Sequence, residues 1–418
     1  MAVYLGYNLS ERWAMNQLFE TQRIILEQFE TSVFYNRLIF NDINLNFSLV
    51  GIVGPRGIGK TTLLLRHVLL NGARNRKALY VSADSLYFLD HRLIELVDEL
   101  YKETDIRLLC IDEIQKYPSW NQELKNIADT YKDFRIVFSG SSMIDIVHSK
   151  YDLSRRVILY PLCGFSFREY LEFYLNITLP TFTFQDIVQN HAVLAEQLSI
   201  QGILKHFKEY LRVGYYPFFA EFDQEREKFQ AIENAVQKTI YEDIANLKSL
   251  KTPTLMIIEK LYKYVVNSAV GELSVYKLAS TLQKDFESVS EYLRLLNLSG
   301  LIRTLYPKQS GKAQLRNPAK MYPDNPNLIY AAYLPQSEDS TQGKVRETFV
   351  INQLQNAHFT AYSTEVGDFR IDDYYLEIGG KNKTLQQVKN QTQGIVFADG
   401  IVTGTGKIIP LYLLGFLY

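Results

Sequence analysis

An α/β fold built on a parallel sheet is what this chain of 418 residues predicts, and three observations predict it. A glycine-rich octapeptide, Gly54-Pro55-Arg56-Gly57-Ile58-Gly59-Lys60-Thr61, lies between an apolar run at 47–53 and a helix-compatible stretch at 62–70 that stops at Asn71-Gly72. A second apolar run, Arg107-Leu108-Leu109-Cys110-Ile111, ends in the acid pair Asp112-Glu113. A third, Arg135-Ile136-Val137-Phe138-Ser139, ends in Gly140-Ser141-Ser142. Short, continuous apolar runs with polar groups at their C-terminal ends are the pattern of buried parallel strands, whose C-terminal edge is where such sheets bind ligands.

The octapeptide fits G-x-x-x-x-G-K-[ST] at every specified position, in the strand, loop, helix order that the phosphate loop requires. Its glycines let successive backbone N–H groups converge on one anion, and the following helix offers its positive end. ATP is the expected ligand, held by Gly54, Pro55, Arg56, Gly57, Ile58, Gly59, Lys60, Thr61 and Thr62, with Lys60 on the β- and γ-phosphates and Thr61 on Mg²⁺. Arg56 packs against the outer face of the loop or takes part in catalysis; its position does not choose between them.

The next elements follow in order. Residues 78–82 read as an inserted strand, and a helical segment runs from about His91 to Lys102. Asp112 is then placed to hold Mg²⁺ through water and Glu113 to polarise the attacking water, a Walker B pair. At the end of the 135–139 strand, Ser139, and after it Ser141, is the candidate for positioning the lytic water, the sensor 1 task; a serine-rich turn capping a helix near Met143 is the equal alternative. Arg156, just before a strand at 157–160, is the candidate finger that completes a neighbouring subunit's site, against a local salt bridge to Asp152 or the Walker B acids. The inserted strand and the acid pair together predict the additional-strand, AAA-type class of P-loop NTPases with a five-stranded parallel sheet.

Composition bounds the rest. The length predicts roughly two to four domains, and 47% hydrophobic with 22% charged residues describes a globular protein with an ample core. Lys+Arg 45 against Asp+Glu 46 gives a net charge of -1, so any nucleic-acid surface is a local patch. Two cysteines, Cys110 and Cys163, exclude a disulfide framework and point to a reducing, cytoplasmic setting. No stretch has the length of a membrane span, and none of the six histidines has metal-ligand spacing with another His or Cys. The apolar segment 408–418 reads as a buried strand.

Five segments together, Gly54 to Thr62, Ile111-Asp112-Glu113-Ile114-Gln115-Lys116-Tyr117, Phe138-Ser139-Gly140-Ser141-Ser142, Asp152-Leu153-Ser154-Arg155-Arg156 and Gly164-Phe165-Ser166-Phe167-Arg168-Glu169-Tyr170, resemble a large prokaryotic family of archaeal-type AAA ATPases with a C-terminal domain of unknown function. The resemblance covers nearly the whole chain after about residue 18. It supports Lys60, Thr61, Asp112, Glu113 and Arg156 in the roles above, and Gly214-Tyr215-Tyr216-Pro217 resembles the family's lid motif.

Beyond an ATPase core at 1–162, residues 163–250 read as a helical lid, with Tyr170, Phe173, Tyr174, Phe207, Tyr210 and Phe218 as core rather than a base-stacking surface. Residues 251–335 read as a winged helix: a helix through Met256, Ile257, Leu261 and Val265, a second capped by Ser274, a third capped by Ser288 and ended by Gly300, then a strand pair at 301–306 and 320–322. Its wing carries Arg303, Lys308, Lys312, Arg316 and Lys320, expected to contact phosphates, while Arg294 sits among acids on the third helix. Residues 336–418 resemble the PD-(D/E)xK nuclease fold that the family carries, with Glu347, Asp372 and Glu377 in the places of its acids. The lysine expected two positions after Glu377 is Gly379, and Lys381 lies beyond a Gly-Gly turn, so cleavage is not expected. Gln387-Val388-Lys389 is the alternative ending.

The function expected is MgATP hydrolysis stimulated by self-assembly or by DNA or a DNA-bound protein. The alternatives are a nucleotide switch with negligible turnover and an ATP-regulated DNA nuclease.

Overall fold

The computed structural model describes residues 2–32, 35–141, 153, 155–268, 274–308, 320–332 and 338–418, with the backbone alone at 2–14, 247–248 and 338–340. The helix expected near Met143, with Ser142, Asp152 and Ser154, and the wing residues Lys312 and Arg316 lie outside the described residues. The chain divides into two compact units, Met1–Leu162 and Cys163–Tyr418.

The first unit is a five-stranded parallel sheet: β1 (Leu49–Val53), β2 (Ala78–Ser82), β3 (Leu108–Asp112), β4 (Arg135–Gly140) and β5 (Ile158–Pro161), ordered β2-β3-β4-β1-β5. β1 lies between β4 and β5, pairing Val53 with Gly140 and with Pro161. Both faces are covered, which is why the strands read as unbroken apolar runs: Leu49, Val50, Ile52 and Val53 are all fully buried. The helix Leu93–Glu103 buries Leu93, Leu96, Val97 and Leu100, one face at helical spacing. Each of these contributes about 1.5–3 kcal/mol. Arg92, Tyr117 and the Ile94 N–H all converge on the buried Glu123 carboxylate of the helix Trp120–Thr130, tying two helices together through a polar residue.

β2 is an edge strand. The helix Ala2–Thr31 covers it with Met15, Leu18 and Phe19, and Gln22 Oε1 accepts the Tyr80 N–H at 2.6 Å, so an edge donor is satisfied inside the protein.

The second unit is helical from 163 to 250, as expected, with Ser166 and Thr183 forming capping boxes at the helices Phe167–Leu175 and Phe184–Leu198. The aromatic stripe is core: Tyr170, Phe207 and Tyr210 are each 1% exposed, although Tyr174 is exposed. These helices share that core with the C-terminal segment, since Phe167 packs on Phe207, Tyr412 and Phe416. The Gly214-Tyr215-Tyr216-Pro217 motif closes a π-helical turn, Tyr210–Gly214, whose carbonyls at Tyr210 and Leu211 accept from Asn327 Nδ2 while Asn327 Oδ1 accepts the Tyr215 N–H.

Three helices, Thr252–Asn267, Val275–Thr281 and Phe286–Leu298, lead into the antiparallel pair β6 (Ile302–Leu305) and β7 (Lys320–Pro323). Ser274 caps the second helix as expected. The third is capped by Asp285, not Ser288: the Asp285 carboxylate accepts the Ser288 N–H, and the Ser288 hydroxyl donates back to it. A carboxylate three residues upstream outcompetes a serine for the orphan amides.

The last sheet is ordered β12-β11-β10-β9-β8 from β8 (Ala361–Tyr362), β9 (Phe369–Ile371), β10 (Tyr374–Gly379), β11 (Gly394–Ala398) and β12 (Ile408–Pro410). Here 408–418 departs from the strand expected of it. Pro410 ends β12, and Leu411–Phe416 is a buried 3-10 turn. Proline removes a ladder donor, and the segment's burial comes from aromatic packing instead.

Candidate functional site

Every phosphate-loop residue lies at the C-terminal edge of the first sheet. Gly57 and Gly59 have φ of +80° and +95°, and Gly59 caps the helix Lys60–Leu70 with no side chain over the first-turn amides. Those N–H groups face the loop, the arrangement that binds anions at helix starts. At Gly54 the need for glycine is steric, because a Cβ would lie 2.2 Å from the Leu162 carbonyl oxygen. Pro55, Arg56 and Thr62 are partly exposed along the loop, Ile58 is fully buried beneath it, and Arg37, itself 2% exposed, donates to the Ile58 carbonyl.

Lys60, 5% exposed as a residue, donates from its ammonium to the carbonyls of Gly54 at 2.9 Å and Pro55 at 2.7 Å, so the chain wraps its own cation at the centre of the loop. Thr61 Oγ1 donates to Asp112 Oδ2 at 2.6 Å. One hydroxyl and one carboxylate in contact, from the loop and from β3, are oxygen donors of the kind that hard divalent cations take.

Asp112 and Glu113 are held from several sides. Tyr80 donates to Asp112 Oδ2 at 3.0 Å, and Ser139 donates to Asp112 Oδ1. Burial, with Asp112 beside it, pushes the Tyr80 hydroxyl far above its ordinary range, so it stays a donor. Ser139 also accepts the Glu113 N–H at 3.1 Å. The hydroxyl expected to orient water is therefore turned onto the Asp112 carboxylate and the Glu113 backbone. Ser141, the second candidate, is 2% exposed and accepts from Gln115. Glu113 is partly exposed, and Arg56 lies 3.8 Å from its Oε2. Arg156 pairs with Asp129 at 2.8 Å on the helix Trp120–Thr130, a partner that the sequence reading did not include.

Sequence reasoning missed Arg37, Tyr80 and Gln115. Tyr80 sits in an apolar strand pattern, and nothing local marks its hydroxyl as facing β3. Gln115 lies inside the quoted acid-pair segment, so proximity to Glu113 was the available signal.

In the second unit the acids regroup. Asp372 occupies the tip of the β9–β10 hairpin with φ of +49°, and its backbone carbonyl accepts from Lys308 and Arg370. It is Asp368 that accompanies Glu347 and Glu377: Asp368 Oδ2 accepts the Ile378 N–H at 2.8 Å, because the register pairs Phe369 with Leu376. Burial, with Asp368 nearby, raises Glu347 to about 7, and Tyr322 donates to it at 2.9 Å. Asp368 and Glu377 are raised as well, chiefly by burial. The cation absent at position 379 arrives from Lys383, which pairs with Glu377. Its side chain crosses Gly379 so closely that a Cβ there would lie 2.6 Å from Lys383 Cγ. With its amide nitrogen turned inward, Gln387 donates to both Glu377 oxygens. Among the described residues no three His, Cys, Asp or Glu are grouped to hold a metal ion.

The phosphate-contact expectation for the hairpin also needs correction. Arg303 is buried against Asp324 at 2.9 Å and donates to Gln355 and Asn356, so it faces the protein. Arg294 is held by Glu291. Lys320 is partly buried with its ammonium 3.5 Å from the Asp368 carbonyl, and Lys308 is exposed. No helix among the described residues is long and apolar enough to cross a membrane.

Fold and loop define a P-loop α/β domain, and residues 46–171 match the model of an AAA domain. Together they support an AAA-type nucleotide-binding ATPase. Residues 204–337 match a domain of unknown function. Over its length the chain is similar to two uncharacterized proteins of Methanocaldococcus jannaschii. One is 28% identical over 405 residues, spanning 88% of this chain and 84% of the relative. The other is 24% identical over 359 residues, spanning 81% and 73%. Among solved structures, the AMPPCP-bound DnaA of Aquifex aeolicus aligns with 64% of this chain and 90% of its own, at 18% identity and a TM-score of 0.27.

Proposed function

We propose that the first unit binds MgATP and hydrolyses it to ADP and phosphate, with turnover raised by self-assembly or by a DNA or DNA-bound protein partner. The observation that carries this reading is the 2.6 Å contact of Thr61 with Asp112 beside the Lys60-centred loop. The loop amides and Lys60 would hold the β- and γ-phosphates, and Lys60 would exchange its two carbonyl partners for phosphate oxygens. Mg²⁺, held by Thr61 and Asp112, would supply charge to offset the phosphate oxygens. Glu113 would take the proton of the attacking water. Ser139 and Tyr80 would fix Asp112. Arg156, turned from Asp129 toward a neighbouring copy, would complete that copy's site. A cytoplasmic location belongs to the same reading.

The helices and hairpin between 252 and 323 support a winged helix, and of the described hairpin cations Arg303, Lys308 and Lys320 it is Lys308 that is exposed. The C-terminal sheet supports a nuclease-like fold kept for binding. Engagement of Glu377 by Lys383 and Gln387 counts against cleavage. Supercoiled plasmid incubated with Mg²⁺ or Mn²⁺ should stay intact; cutting that disappears in Glu377→Ala would reverse this assignment.

The deciding measurement is the ATPase rate of wild type, Lys60→Ala and Arg156→Ala, each with and without duplex DNA. Both variants should lose turnover, with ATP affinity kept only in Arg156→Ala. Equal rates in all three would remove the catalytic reading and leave a nucleotide switch.

A further inference from the structure

Glu113 leaves β3 with φ of +52°, a left-handed conformation that costs any residue carrying a side chain. The 3-10 turn Ile114–Lys116 that follows brings Gln115 back beside it. Gln115 Nε2 donates to Glu113 Oε2 at 2.6 Å and to Ser141 Oγ at 2.9 Å, linking the end of β3 to the end of β4. The amide's other atom lies against Gly140: Gln115 Oε1 is buried and has no hydrogen-bond partner among the described residues. A buried carbonyl left unsatisfied is unfavourable, so packing by itself would favour an apolar side chain here. What the carboxamide supplies is its nitrogen.

We propose that Gln115 is a positioning residue for hydrolysis, aiming the Glu113 carboxylate at the attacking water and tying it to Ser141. The inference rests on the ATPase reading above and adds a residue to it. A neutral amide donor stabilises the ionised form of a base without neutralising its charge. Without that bond the carboxylate can swing to Arg56, which already lies 3.8 Å from the same oxygen. A guanidinium ion pair there would hold the carboxylate away from the attacking water. Ser141 supplies the fixed point, because it is buried at the end of a central strand.

The test compares wild type, Glu113→Gln, Gln115→Ala, Gln115→Glu, Ser141→Ala and the Gln115→Ala/Ser141→Ala double variant of the full chain. Steady-state ATPase is measured across pH, with binding of a fluorescent ATP analogue alongside. Gln115→Ala should lower kcat roughly 10- to 100-fold with analogue affinity kept. Gln115→Glu removes the amide donor and sets a second carboxylate against Glu113, so kcat should fall at least as far, again with analogue affinity kept. Ser141→Ala should add little in the Gln115→Ala background, as expected for links in one chain. Full turnover in Gln115→Ala, full turnover in Gln115→Glu, or loss of analogue binding in both overturns the proposal. If wild type is active, Glu113→Gln is dead and Gln115→Ala is unchanged, only this inference falls. If wild type hydrolyses nothing, the ATPase reading falls and this one with it.

Discussion

Thr61 and Asp112, 51 positions apart in the chain, meet at 2.6 Å through a hydroxyl and a carboxylate oxygen. The loop delivers one and β3 the other, and the strand order places β4 between β1 and β3, so the contact spans the sheet's C-terminal edge above β4. Ligand binding there should depend on both. In wild type, EDTA should weaken binding of a fluorescent ATP analogue; in Thr61→Ala and Asp112→Asn that sensitivity should vanish. Asp112→Asn should also lose roughly 10³-fold in hydrolysis, the rate equivalent of several kcal/mol of charge stabilisation. Unaltered EDTA sensitivity in Thr61→Ala would place the ion elsewhere.

The two loop glycines should fail differently. Gly54→Ala sets a Cβ 2.2 Å from a backbone carbonyl, which no rotamer change relieves, so the variant should unfold at lower denaturant and bind no nucleotide. Gly59→Ala meets no atom within 4 Å and pays only for φ of +95°, about 1–2 kcal/mol. Denaturant titrations of the two variants should separate them clearly; equal midpoints would contradict the packing at Gly54.

Arg156 shares an exposed ion pair with Asp129, so its removal should leave the melting temperature unmoved. As a finger, however, it should matter to catalysis in the assembled protein. Arg156→Ala is expected to lose roughly 10³-fold in turnover at high protein concentration. Titrating the variant into wild type should poison activity beyond simple dilution. A linear dilution curve would count against a finger acting between copies.

Glu347 titrates at about 7 in the folded chain against an ordinary value of 4.5, with Tyr322, Asp368, Glu377 and Lys320 facing it. The folded state therefore holds a proton that the unfolded chain has already released between those values. Stability from this group is complete below pH 4.5 and is lost as pH rises through 7, by at most about 3 kcal/mol. Urea unfolding should show stability falling from pH 5 to pH 8, and Glu347→Gln should flatten much of that slope. Asp368 and Glu377, shifted the same way, leave a remainder. A slope identical in the variant would mean Glu347 ionises freely.

Local pattern made the first unit readable. The strands at 49–53, 78–82, 108–112 and 135–140 announce themselves because a strand buried on both faces needs consecutive apolar residues. Lys60, Thr61, Asp112 and Glu113 are legible because a phosphate cradle needs fixed residue types at fixed spacing. Apolar periodicity and capping signals likewise carried the helical character of 163–250 and the helix-helix-helix-hairpin order of 252–323.

Only the folded chain decided which polar groups meet. Asp368 rather than Asp372 joins Glu347 and Glu377 because hairpin register sets which acid turns inward, and a one-position change in register reverses every side chain. Lys383 reaches Glu377 because Gly379 leaves space for it to cross. Arg303 is removed from the wing's cations by a buried acid at position 324, and Tyr80 and Gln115 reach the acid pair from a neighbouring strand and a turn. Spacing along the chain specifies a loop or a strand, since those depend on near neighbours. Contacts between groups far apart in sequence depend on strand order, register and the path of each turn, and these are properties of the tertiary structure.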